Sequence, residues 1–447
     1  MRNLRIWATV VLLFVLVGPL FATGNAEESD APAEPITLDV WSHYSEDVVF
    51  DTMIKPSFEA QYPNVTAAFE TIPGGQGALF EKILVGSRAN ELPDVAVINS
   101  GNVPQLVHLN LIDPVEPEAF GVSTMEEWGE LWDGGTSVMK WGDEFYGVAF
   151  SVSTYVMLIN AEHFREAGLD PDTDYPLTWI EGERSVARIG QLLMRREEGR
   201  VVREAYGINL HPWAHLINFY NMYGALGAEL FNPDGETATL DSPEAERVFR
   251  MLRDLAYEYE VSVPSGTGTS ALKRDEFLNG TVSMIDTVWS WFIPSMRNDY
   301  PELWDDGDGV RFIPMPRFAD GEPWANQAGS LWVTLSASEH KDEAWALQKV
   351  IMDNHAGYLG EGLFVPVKGY ENSPQARDLP QFEMFREILR YPGSTQALNA
   401  DVGEITGEVL TRVLFEDAEI QPLLEEANAK LERYLADLPY PSVPLDK

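Results

Sequence analysis

The first third of the chain limits the fold most, because strand-like and helical patterns alternate there. Ile36–Trp41 (ITLDVW), Val65–Thr71 and Asp94–Asn99 (DVAVIN) read as short strands. His43–Tyr62, Ala78–Asn90 and Val103–Leu109 carry apolar residues at helical spacing. Pro63-Asn64 stops the first of these helices, and Pro73-Gly74-Gly75-Gln76-Gly77 turns into the second. The rhythm predicts a mostly parallel sheet covered by helices, an α/β fold. Tyr146–Asn160 (YGVAFSVSTYVMLIN) breaks it with a much longer β-patterned run. Beyond that run, helices are expected at Ala161–Gly168, Thr178–Arg195 (with Thr178 as N-cap), Trp213–Leu226, Ser242–Tyr259 and His340–Asp353. Strands are expected at Gly207–Leu210, Val310–Pro316 and Gly329–Leu335, and Gln381–Leu438 reads as almost wholly helical. Arg195–Tyr206 is unusually charged, and its pattern suggests no role.

At 447 residues the chain exceeds what one core usually supports, so two domains are expected. Residues 1–26 read as a secretory leader: Arg2 and Arg5, the apolar stretch Ile6–Leu20, then Ala22–Ala26 (ATGNA) for cleavage after Ala26. Glu27–Pro35 is an acidic, flexible start. Without the leader and its two arginines the net charge moves from −40 by two, to −42. Nucleic acid and anionic lipid would be repelled by such a body, and neither is expected as a partner. Acidic excess with more arginine than lysine resembles proteins of salt-loving organisms. The absence of cysteine excludes disulfides, thiolate metal sites, cysteine nucleophiles and a lipid-modified N-terminal cysteine.

Phe277–Trp291 (FLNGTVSMIDTVWSW) carries the clearest hint of a site. A helix end meets the turn dipeptide Asn279-Gly280, and an alternating run then ends on Asp286, Trp289 and Trp291. The two tryptophans share a parity, so an extended backbone would point both to one face. That face could hold a sugar, whose ring is apolar on its faces and polar at its rim. It could equally be the core face of the strand.

Several segments, in this order, resemble the extracellular solute-binding proteins of ABC importers, in their large sugar-binding, maltose-binding-protein-like group. These are ITLDVW with the helix ending FEAQYPNV, LPDVAVINSG, YGVAFSVSTYVMLINAEHFREAGLDP, PLTWIEGERSVARIGQL, FLNGTVSMIDTVWSW, NQAGSLWVTLSAS and GLFVPVKGY. The resemblance implies a two-lobed periplasmic-binding-protein fold of type II, each lobe a mixed sheet flanked by helices. Residues 36–148 with 318–362 would form one lobe, and 149–317 with 363–447 the other. It further implies a monomer, free in the periplasm, that passes a carbohydrate to membrane permease subunits without a cofactor.

In such folds ligands sit outside the carboxyl ends of strands. That rule selects Ser42, Tyr44, Asn99, Ser100, Ser151, Ser153, Trp213, Asp286, Trp289 and Trp291. Asn326, Gly329, Ser330 and Phe364 rest more on the resemblance. Trp213, Trp289 and Trp291 would offer ring faces; Asp286, Asn99 and Asn326 would bond hydroxyls, with weaker bonds from Ser42, Ser100, Ser151 and Ser330. Gly329 would bring a backbone N–H close to the ligand. Trp132, Trp141, Trp179 and Trp345 are read as packing residues, and Trp41 as core. A secreted carbohydrate hydrolase is the alternative, but no carboxylate spacing marks its acid and base. A glycerol-phosphate ligand would want a basic residue among these positions, and none is basic. His211 and His215 have metal spacing without a third ligand nearby, and PGGQG could cradle phosphate or simply turn. No catalytic or metal residue is assigned.

Overall fold

The structure, a computed structural model, describes residues 34–44, 49–233, 235–266, 272–394, 400–416 and 418–442. The expected leader and most of the acidic start fall outside them. Twelve strands occur among the described residues: β1 (Ile36–Ser42), β2 (Val65–Thr71), β3 (Val95–Asn99), β4 (Lys140–Trp141), β5 (Glu144–Phe145), β6 (Val148–Ser153), β7 (Val156–Asn160), β8 (Arg195–Glu197), β9 (Arg200–Gly207), β10 (Val282–Val288), β11 (Val310–Ile313) and β12 (Ala328–Thr334).

Two five-stranded sheets hold ten of them, and β4 and β5 form a separate hairpin. The first has the order β2-β1-β3-β12-β6, with β1 parallel to β2 and β3, and β12 antiparallel to β3 and β6. Its central strand β3 is buried through Val95–Ile98, as expected of a strand covered on both faces. The second has the order β11-β7-β10-β9-β8; β10 runs parallel to β9 and antiparallel to β7. β10 is buried at all seven positions, so the alternation of its sequence does not separate a core face from a solvent face.

Strand pairing shows where the chain leaves the first sheet. β6 pairs with β12 through Ser153, and the chain passes to the second sheet only at Thr154-Tyr155. The run from Val148 to Asn160 is apolar and β-patterned throughout, so composition cannot mark where it changes sheets. The return passage is 314–327, and a third contact joins Val152 N–H to the Phe364 carbonyl at 2.8 Å.

A local expectation is corrected. The helix expected from Thr178 begins at Val186, capped by Ser185, whose Oγ accepts the Arg188 N–H at 3.1 Å. Thr178 instead bridges to Ser185 and Arg317, and its hydroxyl turns to the Glu181 carbonyl. The charged segment 195–206 is the hairpin β8–β9, turning through Glu198 (φ 50°) and Gly199 (φ 78°). Positive φ at both central residues makes a turn of type I′, whose twist suits two paired strands. Every β8 residue is exposed, and its charges protect the edge of the second sheet from further pairing.

Candidate functional site

The carboxyl ends of β1, β3 and β6 and the start of β12 meet on one edge of the first sheet. Register places Ser330 opposite both Asn99 and Ser151. Ser330 Oγ lies 3.3 Å from the Tyr44 hydroxyl and 3.5 Å from Gln76 Nε2. Here the structure gathers Ser42, Tyr44, Asn99, Ser100, Ser151 and Ser153, as the strand-end rule expects, together with Gly329 and Ser330 at the start of β12.

Several of these groups are already engaged. Ser42 Oγ accepts the Tyr44 N–H at 3.1 Å, and Asn99 Oδ1 accepts the Gly101 N–H at 3.0 Å, capping a short turn. Ser153 Oγ lies 3.5 Å from the Ala328 carbonyl. The Gly329 N–H donates to Ser100 Oγ at 3.1 Å and so does not point at a ligand. Glycine is required at 329 for packing: a Cβ would stand 2.8 Å from the Ser151 carbonyl oxygen.

A cleft opens beside this edge, lined in part by Ser100, Ser137, Lys140, Trp141, Trp213, Asn326, Gln327 and Ser394. Trp213 stands in the first turn of the helix Pro212–Ala225, which His211 introduces and Pro212 favours. Trp141 stands on the small β4–β5 hairpin, so the two large rings of the cleft come from segments far apart in the chain. Gln327 spans its floor: its Oε1 accepts from Ser137 Oγ at 2.8 Å, and its Nε2 donates to the Leu389 carbonyl at 2.9 Å. The Asn326 N–H donates to Asn221 Oδ1 at 2.6 Å, and Asn221 Nδ2 reaches Thr154 Oγ1 at 3.3 Å.

Four expected residues take other places. Trp289 is fully buried; its ring meets Phe385 at 4.7 Å and Phe364 at 5.8 Å, both edge-on. Phe364 is equally buried and stacks on Phe382. Both belong to the core, offering no ring face to the cleft. Trp291 does not share the orientation of Trp289, because β10 ends at Val288 and Ser290–Phe292 is a short 3-10 turn. It lies half-buried under the Arg274 guanidinium, 4.8 Å from the ring centre. Asp286 is 2% exposed and accepts the Tyr206 hydroxyl at 2.5 Å. Burial pushes its carboxyl up to about 7, while its bonds to Tyr206 and Asn218 pull the other way.

Trp141, read from sequence as a packing residue, lines the cleft instead. Lys140, Ser137, Gln327 and Ser394 also escaped the sequence reading. The Gly142-Asp143 turn between β4 and β5 is visible in sequence, but nothing local places its flanks beside β3 and β12. Trp132, Trp179 and Trp345 are buried, as expected.

Two α/β lobes, linked by short crossings and holding a polar, ring-lined cleft at their strand ends, have the architecture of a protein that clamps a solute. The description of bacterial extracellular solute-binding proteins matches residues 43–351, and the chain belongs to that family. A binding protein of Brucella abortus (strain 2308) is 22% identical over 424 residues, spanning 91% of this chain and 95% of its own. The sugar-binding protein MalE of Xanthomonas citri superposes with a TM-score of 0.75 at 19% identity, covering 90% of this chain and 97% of its own. The GacH receptor of Streptomyces glaucescens, solved unliganded and with acarbose, gives 0.71 at 15% identity, covering 90% and 99%. These likenesses bear out the two-lobed α/β fold expected from the sequence.

Proposed function

We propose that this protein captures a carbohydrate between its lobes and delivers it to the permease of an ABC importer, acting as a soluble periplasmic monomer without a cofactor. The lobes would be those expected from sequence, with the first crossing moved to Thr154-Tyr155. The observation that carries the reading is the pairing of Trp213 and Trp141 with Ser100, Asn326, Gln327 and Ser394 around one cleft. Flat rings match the apolar faces of a pyranose, and short polar side chains match its hydroxyl rim. The ligands named for the Xanthomonas and Streptomyces proteins support the same choice. Hydrolysis is disfavoured, because no pair of carboxylates lines the cleft among the described residues.

Intrinsic fluorescence titrated with a sugar panel, alongside an assay for released product, tests this. Saturable quenching without turnover is expected. Trp213→Ala should weaken binding about tenfold or more, the loss typical of a buried aromatic contact. Steady product release, or full affinity in Trp213→Ala, would overturn the reading.

A further inference from the structure

The cleft differs in charge from the rest of the molecule. The chain has 71 carboxylates against 31 lysines and arginines, yet among the described residues no carboxylate lines the cleft and one cation, Lys140, does. Lys140 is exposed, and its Nζ enters no ion pair or hydrogen bond among the described residues. Its nearest recorded partner is the Phe145 ring, 6.0 Å away. Other cations of this region are occupied. Lys82 pairs with Glu70 at 2.8 Å, Arg386 and Arg390 both pair with Asp133, and Arg274 Nε donates to the Thr287 carbonyl at 2.9 Å.

The carboxyls behind the cleft wall are shielded from it. Glu229 accepts from Ser394 Oγ at 2.7 Å, and burial raises its pKa. Asp286 is covered by Tyr206. Asp143 and Glu144, on the same hairpin as Lys140, form no ion pair with it among the described residues. Glu46 and Asp47, just beyond Tyr44, lie outside the described residues.

We propose that the carbohydrate taken by this cleft bears a carboxylate, as in a uronate or its oligomers, and that Lys140 binds it. The inference rests on the carbohydrate reading above and narrows it. A neutral sugar needs no cation, and Lys140 is the one cation among the described residues that line the cleft. A carboxylate gains a charge-assisted hydrogen bond from it. The acidic surface opposes an anion at long range, but physiological salt screens charges beyond about 8 Å, whereas direct contact is screened far less. A sugar phosphate fits less well, since a dianion calls for a bidentate arginine or a second free cation.

The test titrates the full mature chain with matched di- and trisaccharides, each neutral sugar beside the uronic acid of the same backbone: glucose with glucuronate, galactose with galacturonate, mannose with mannuronate. A sugar-phosphate series runs in parallel. One uronate series is expected to bind at least about tenfold tighter than its neutral counterpart, the usual value of a hydrogen bond to a charged group. Lys140→Gln should abolish that preference, and Lys140→Arg should keep it. Equal or tighter binding of neutral sugars, tighter binding of sugar phosphates, or a uronate preference that survives Lys140→Gln would each overturn the proposal. Saturable binding of neutral sugars alone would leave the carbohydrate reading standing. Silence from all series would remove both.

Discussion

Asp286→Asn makes the buried carboxyl of β10 measurable. Asp286 Oδ2 accepts the Tyr206 hydroxyl at 2.5 Å, and its backbone carbonyl accepts from Asn218 Nδ2 at 2.9 Å. Asp286 Oδ1 and Asn218 Oδ1 are both buried without a partner, so a proton on the carboxyl adds a donor where acceptors predominate. Burial raises the pKa from 3.8 to about 7. The sign follows from which state holds the proton. Above about pH 4 the unfolded chain has released it while the native protein keeps it, so this group's contribution to stability falls as pH rises to about 7 and is level beyond. Some three units at 1.36 kcal/mol each set an upper bound of about 4 kcal/mol. Asparagine keeps the shape and the acceptor for Tyr206 but cannot ionise. Urea unfolding of both proteins at several pH values, from about 4.5 to about 8 and at constant high salt, gives a difference from which the other carboxylates cancel. The parent should lose about 2–4 kcal/mol relative to the variant across that range. A difference that stays flat with pH would refute the argument that burial holds the proton on Asp286.

Two further outcomes concern packing and paired charge. Gly329→Ala should cost about 1–3 kcal/mol, because its Cβ would meet the Ser151 carbonyl at 2.8 Å and backbone has little room to yield; unchanged urea stability would mean that β6 and β12 can part at that point. Lys273→Met should cost about 3–5 kcal/mol, since it leaves Glu204 buried without the ammonium now 3.1 Å away. The double variant Lys273→Met/Glu204→Gln should recover most of that loss, and a double variant no more stable than the single one would count against the pair.

Backbone-scale features were the legible part. The strand–helix alternation of residues 36–109 carries the three parallel strands of the first sheet, because parallel strands need helical returns and the apolar spacing shows them. The strand-end rule likewise located the polar edge around Asn99 and Ser151, and the resemblance added Ser330. The rule failed for Trp289, where parity assumed an extended backbone past Val288, and for Asp286, where full burial of β10 removed any difference between its faces. Lys140 and Trp141 were out of reach for another reason. Their hairpin is a local feature, but its position over the cleft is set by contacts with segments far away in sequence. The charged segment 195–206 was opaque because exposed edge strands lack the apolar alternation that identifies buried ones.

The passage at Thr154-Tyr155 has a mechanical consequence. Only three Cα-to-Cα steps separate Ser153 in the first sheet from Val156 in the second, a reach of about 11 Å at full extension. That short tether limits how far the lobes can separate at that point. Asn221 holds Thr154 on one passage and the Asn326 backbone on the other, so a single amide sits near the pivot of both. A solute held between the lobes would therefore change the angle between them more than the distance across that passage.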